Sequence, residues 1–165
     1  MLNDTQLLNH VYQSAEMGRD GILSVLKYAE NPKLSQALRQ QLEEYKNLQD
    51  SSAHMLQERG VKPEGISPMV KASSQVMSAM KTMNDRSATK IAEMMIQGNT
   101  MGVTKSLRVI HDYSMEDERV SDLANKLLET EQNNIEQMKP FLSLRAPRRR
   151  QSASRGITSP TVLVL

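Results

Sequence analysis

Apolar residues recur every three to four positions along most of the chain, and four stretches sustain the pattern long enough to predict amphipathic helices. In the first, Leu8, Val11, Ala15, Ile22, Leu26 and Ala29 share one face. It lies between an Asn3/Gln6 pair with capping-box spacing and the Asn31-Pro32 step, which predicts helix over about 4–30. Leu34, Leu38, Leu42, Tyr45, Leu48, Ser52 and Leu56 predict a second helix over 32–59, with Pro32 in its first turn and Gly60 as its stop. A third, over 87–113, places Ile91, Met95, Gly98, Gly102 and Val109 on one side and Glu93, Gln97, Thr100, Thr104 and His111 on the other. The fourth, over 115–139, follows a Ser114/Asp117 cap, carries Val120, Leu123, Ala124, Leu127, Leu128, Ile135 and Met138, and stops before Pro140.

Loop lengths order these helices. The first two are joined by a tight turn and must be antiparallel neighbours, and so must the last two. Gly60 to Arg86 is far longer than the roughly 2 to 8 residues that usually join bundle helices. Ser67-Pro68 opens a shorter helix within it, over about 68–83, whose side carries Met69, Ala72, Val76, Met80 and Met83. A connection of that reach runs the length of a bundle and returns the third helix parallel to the second. The predicted fold is therefore all-α: two antiparallel hairpins joined by a long crossover containing a shorter helix, in one domain over 1–142.

Composition agrees with helices. Aromatic residues are 3% of the chain, Trp is absent, and twelve methionines share the core with Leu, Ile, Val and Ala. The absence of cysteine excludes disulfides, zinc-thiolate and iron-sulfur sites and a cysteine nucleophile. The apolar runs are too short for a membrane span, and MLNDTQLLNH lacks the basic-then-apolar pattern of a signal peptide, so the expected location is cytoplasmic. The formal charge of +2 is unevenly placed: Arg145, Arg148, Arg149, Arg150 and Arg155 fall in a Ser- and Pro-rich segment over 143–165 that holds no acidic residue. That segment reads as a disordered basic tail able to contact an anionic partner. The remaining body has more acidic than basic residues and predicts no nucleic-acid binding.

Polar residues on apolar stripes are the candidates for chemistry, because burying them requires partners. They are Arg19 on the first helix, Gln41, Tyr45 and Gln49 on the second, and Glu131 and Asn134 on the fourth. A carboxylate beside a guanidinium and a phenol is the expected cluster. Gly98 and Gly102, four apart in the third stripe, predict another backbone approaching closely. The methionine stripe of the crossover serves as a gap-filler, a partner groove or a soft-metal site. His10, His54 and His111 are all assigned to outer faces.

The runs KIAEMMIQGNTMGVTK at Lys90 to Lys105 and LLETEQNNIEQMKPFL at Leu127 to Leu142, set on two hairpins with a long crossover, resemble small uncharacterised bacterial proteins of the ferritin-like superfamily. The resemblance covers 1–142. It implies a bundle in which metal-binding members carry inward Glu residues and Glu-x-x-His pairs. This chain has Asn where such pairs have His, at Glu131/Asn134 and Glu44/Asn47, while Glu93 lies opposite its stripe. The resemblance thus implies a scaffold with degraded ligand positions: an interaction or self-association module, a homo-oligomer among its forms, without cofactor. The alternative is iron or manganese held by a carboxylate-rich set of Glu16, Glu44 and Glu131.

Overall fold

The computed structural model describes residues 1–114 and 117–143, apart from the side chains of 72, 73, 75, 76 and 143. The basic segment expected to be disordered falls almost wholly outside them. The elements are α1 (Asp4–Leu26), α2 (Pro32–Glu58), α3 (Pro68–Ser73), α4 (Gln75–Lys81), α5 (Ala88–His111) and α6 (Glu118–Met138), with a closing 3-10 turn at Lys139–Ser143. The fold is an all-α bundle. Its one β-type contact among the described residues is an isolated bridge between Leu2 and Tyr113.

The local signals act as their chemistry requires. The Asn3 side chain accepts from the Gln6 N–H at 2.9 Å, and Gln6 accepts from the Asn3 N–H at 3.0 Å, which makes the capping box reciprocal. Asn31 accepts from the Lys33 and Leu34 amides ahead of Pro32. Gly60, at φ 68°, closes α2: its N–H reaches Gln57 O and that of Val61 reaches Leu56 O. This pairing of orphan carbonyls needs a left-handed residue at Gly60.

Other boundaries move. α1 stops at Leu26, and Tyr28 and Ala29 bond back three residues to Val25 and Leu26, tightening the chain into its turn. The Arg86 guanidinium lies 3.9 Å from the centre of the Tyr28 ring and pins that turn to the start of α5. The crossover contains two short helices, because Ser74 takes an extended conformation (φ −63°, ψ 127°) between them. α6 begins at Glu118 with Asp117 as its cap, not after Ser114, since the Asp117 carboxylate accepts from the Arg119 amide at 2.9 Å.

Three contacts fix the direction of the helices. Leu2 N–H donates to Asp112 O, which sets the start of α1 beside the end of α5. Arg59, just past α2, pairs with both Asp4 and Asp117, bringing the end of α2 to the starts of α1 and α6. Gln41, near the start of α2, donates to Gln137, near the end of α6. α5 therefore runs parallel to α2, as the long connection predicts. The crossover is strapped to α1: Lys71 Nζ lies 2.7 Å from carboxylate oxygens of both Glu16 and Asp20, and Glu16 also accepts from the Ile66 amide at 2.8 Å.

The core contains Leu7, Leu8, Val11, Ile22, Leu38, Leu56, Ile91 and Leu127, all buried. Full burial of such side chains contributes roughly 1.5–3 kcal/mol each. Of the crossover methionines in the predicted stripe, Met80 and Met83 at its C-terminal end are buried while Met69 at its start is 82% exposed.

Candidate functional site

Between α1, the crossover and α5 lies a cavity of about 600 Å³, open to solvent along the exposed side chains of Thr100, Met101 and Thr104. Ordinary ligand pockets occupy roughly 300–1,000 Å³. Its walls carry Met17 from α1, Met77 and Met80 from α4, and Met94, Met95 and Met101 from α5, half of the methionines in the chain. Unbranched thioether side chains adapt to irregular apolar contents better than branched ones. Gly18 and Gly21 from α1 and Gly98 and Gly102 from α5 also line it, so small residues set its width.

The cavity ends on polar groups from α2, α5 and α6. Tyr45 Oη donates to Asn99 Oδ1 at 2.7 Å, and Asn99 Nδ2 donates to Met95 O at 2.8 Å. Asn134 Nδ2 approaches Asn99 Oδ1 at 3.4 Å, while its own Oδ1 is buried without a partner among the described residues. Burial pushes the Tyr45 phenol well above its usual range, with the Glu131 charge adding to the effect. Tyr45 is thus a neutral donor at any physiological pH.

Glu131, from α6, is buried beside this layer. Ser106 Oγ donates to Glu131 Oε2 at 3.1 Å, and His10 Nε2 lies 3.2 Å from Ser106 Oγ. A hydroxyl has one proton, so while it serves Glu131, His10 must donate through Nε2–H. Burial raises the Glu131 carboxyl from 4.5 to about 7, against the opposing pull of the Ser106 hydrogen bond and the Lys105 charge. Burial, helped by Lys105, lowers His10 from 6.5 to about 4. The chain His10–Ser106–Glu131 is therefore uncharged through much of the acidic range. At neutral pH Glu131 divides between its acid and its carboxylate.

The predicted cluster is divided between separate contacts. Gln41, Tyr45, Gln49, Glu131 and Asn134 are buried as expected. Arg19, however, donates to Gln49 at 2.9 Å and pairs with Asp20 at 3.4 Å, so it is not the partner of Glu131. The assignment of His10 to an outer face is corrected: it is 7% exposed and turned toward Ser106. His54 and His111 do lie on the surface, beside Glu58 and Asp112.

The glycines also require correction. A Cβ on Gly102 would collide with the Glu131 carboxylate, and Gly98 faces the cavity, so Gly102 is small to admit a side chain rather than a neighbouring backbone. Gly18 performs the same service for the Tyr45 ring. Asn99, Ser106 and Gly18 were not singled out from sequence. Their signal was present, since Met95, Asn99, Gly102 and Ser106 follow one another at helical spacing along the buried stripe of α5.

The residues present do not fit the metal centre of ferritin-like enzymes. Glu16 is engaged by Lys71 and the Ile66 amide, Glu44 by Gln40, and Glu131 by Ser106, while Glu93 pairs with Lys90 at the surface. Among the described residues no group of three His, Cys, Asp or Glu side chains converges to hold an ion.

Fold and cavity define a helical bundle with a ligand-sized cleft between α1, the crossover and α5. Three solved structures share the architecture. A DUF305 fragment from Deinococcus radiodurans superposes with a TM-score of 0.67 at 18% identity, covering 84% of this chain and 94% of that one. A conserved hypothetical protein from Mycobacterium tuberculosis gives 0.65 at 17% identity, over 87% and 92%. The Escherichia coli stress protein YciF gives 0.53 at 15% identity, over 84% and 91%. At these identities the likeness concerns the fold. No family model and no curated protein sequence matches the chain.

Proposed function

We propose that this chain is a non-enzymatic binding module on a ferritin-like scaffold, and that the methionine-lined cavity receives an apolar small molecule or chain. The ferritin-like reading is supported by the two hairpins, the parallel α2 and α5 and the crossover strapped along α1. The binding reading is carried by one observation: a cavity of about 600 Å³ lies between α1, the crossover and α5, walled by six methionines and floored by Tyr45 and Glu131. The polar groups beneath it are turned toward one another, Tyr45 to Asn99 and Ser106 to Glu131, which favours holding a molecule over reacting with it.

The test is calorimetric titration with a neutral long-chain alcohol, dodecanol, against the intact chain and its Gly98→Leu variant. Saturable binding near one equivalent, weakened at least tenfold when leucine fills the space beside Met95, is the expected result. Absence of saturable binding to the intact chain, or equal binding by a folded variant, overturns the proposal.

A further inference from the structure

Resting on the cavity reading above, we infer that the cavity's occupant is a single-chain anionic amphiphile, a long-chain carboxylate whose head group sits between Lys105 and Arg108 while its tail lies among the methionines. Besides the neutral Tyr45 phenol, three ionisable side chains line the space: Lys105 and Arg108, about one turn apart on α5, and Glu131 from α6. The two cations are exposed, and neither forms an ion pair or side-chain hydrogen bond among the described residues. The surrounding basic residues are otherwise engaged: Lys71 is bound by Glu16 and Asp20, and Arg19 by Gln49 and Asp20.

The charge at the mouth is therefore net positive, two cations against the one buried carboxyl that Lys105 reaches electrostatically, while the interior is apolar. A ligand matching both has an anionic end and a hydrocarbon body. A cationic amphiphile would place its charge against Lys105 and Arg108. Glu131 offsets at most one of them, since it is a single carboxyl, buried and bonded to Ser106. Lys105 also borders a neighbouring shallow groove along α1 and α5 that holds Asn9, His10 and Glu64, so its flexible stem lies on the rim between the two spaces.

The experiment compares dodecanoate, dodecanol and dodecylammonium, each below its aggregation limit, with butyrate as the short control. The titrations use the intact chain and a Lys105→Gln/Arg108→Gln double variant. The expected order is dodecanoate tighter than dodecanol by about twofold to fivefold, as for exposed ion pairs, with dodecylammonium weakest. The preference should shrink as salt rises, and each added methylene should tighten binding about threefold to fourfold. The double variant should bind dodecanol unchanged and lose the carboxylate preference. Dodecanol binding as well as dodecanoate, or dodecylammonium binding best, overturns the head-group assignment and leaves the cavity reading standing. Failure of all three long chains to bind overturns both.

Discussion

Glu131 and His10 are linked through one serine, yet their titrations act on stability in opposite directions. Glu131 has its folded pKa raised from 4.5 to about 7, so between those values the folded chain binds more protons than the unfolded one. Stability from this group is full below pH 4.5 and is lost as pH rises to about 7. His10 has its folded pKa lowered from 6.5 to about 4, so between those values the unfolded chain binds more protons. Its cost is absent above pH 6.5 and grows as pH falls toward 4. Each displacement is about 2.5 in pKa, or about 3 kcal/mol at 1.36 kcal/mol per pH unit. Such a change is a large share of the roughly 5–15 kcal/mol that holds a domain folded.

Between about pH 4.5 and 6.5 the two slopes cancel, and single substitutions should unmask them. Urea unfolding from pH 4 to 9 on the parent chain, Glu131→Gln, His10→Gln and the double variant measures this, and differences between chains remove the titrations they share. The stability of the parent relative to Glu131→Gln should fall by about 3 kcal/mol from pH 4.5 to 7 and then level. Relative to His10→Gln it should rise by about 3 kcal/mol from pH 4 to 6.5. A difference from Glu131→Gln that stays constant to within about 0.5 kcal/mol across the range would refute the burial argument.

Further predictions concern the small residues and the straps. Gly102→Ala should destabilise the chain by about 1–3 kcal/mol by driving a methyl into the Glu131 carboxylate, and a Glu131→Ala background should remove most of that loss in a double-mutant cycle. Gly18→Ala should cost a similar amount through the Tyr45 ring, seen as a lowered urea midpoint with unchanged slope. Lys71→Met should speed amide exchange in α3 and the preceding loop while changing global stability by no more than about 1 kcal/mol, since the contact lies at the surface.

The four long helices, their order and their direction were legible in the sequence because each rests on local chemistry: stripes at helical spacing, an Asn-Pro start and a glycine stop; the single crossover helix expected over 68–83 is two, broken at Ser74. Boundaries were less so. Asp117, held by Arg59 and Arg119, competed successfully with Ser114 for the cap, and no local rule ranks a cap by its distant partners. The site was half legible. The polar stripe residues of α2 and α6 proved buried, but α5 was read for its glycines, and Asn99 and Ser106 beside them were passed over. His10 was missed because it stands at the edge of the α1 stripe beside Asn9 and Gln13, and its polar partner, Ser106, comes from α5 across the interface. Gly102 carried a true signal with the wrong cause, since glycine marks a need for space without naming what fills it.

The most direct test of the cavity is the methyl spectrum of carbon-13-labelled methionine during titration with dodecanol. The account predicts that Met17, Met77, Met80, Met94, Met95 and Met101 shift and saturate together while Met55, Met69 and Met138 hold their positions. Movement centred on exposed Met69, or no movement among the six, would contradict it.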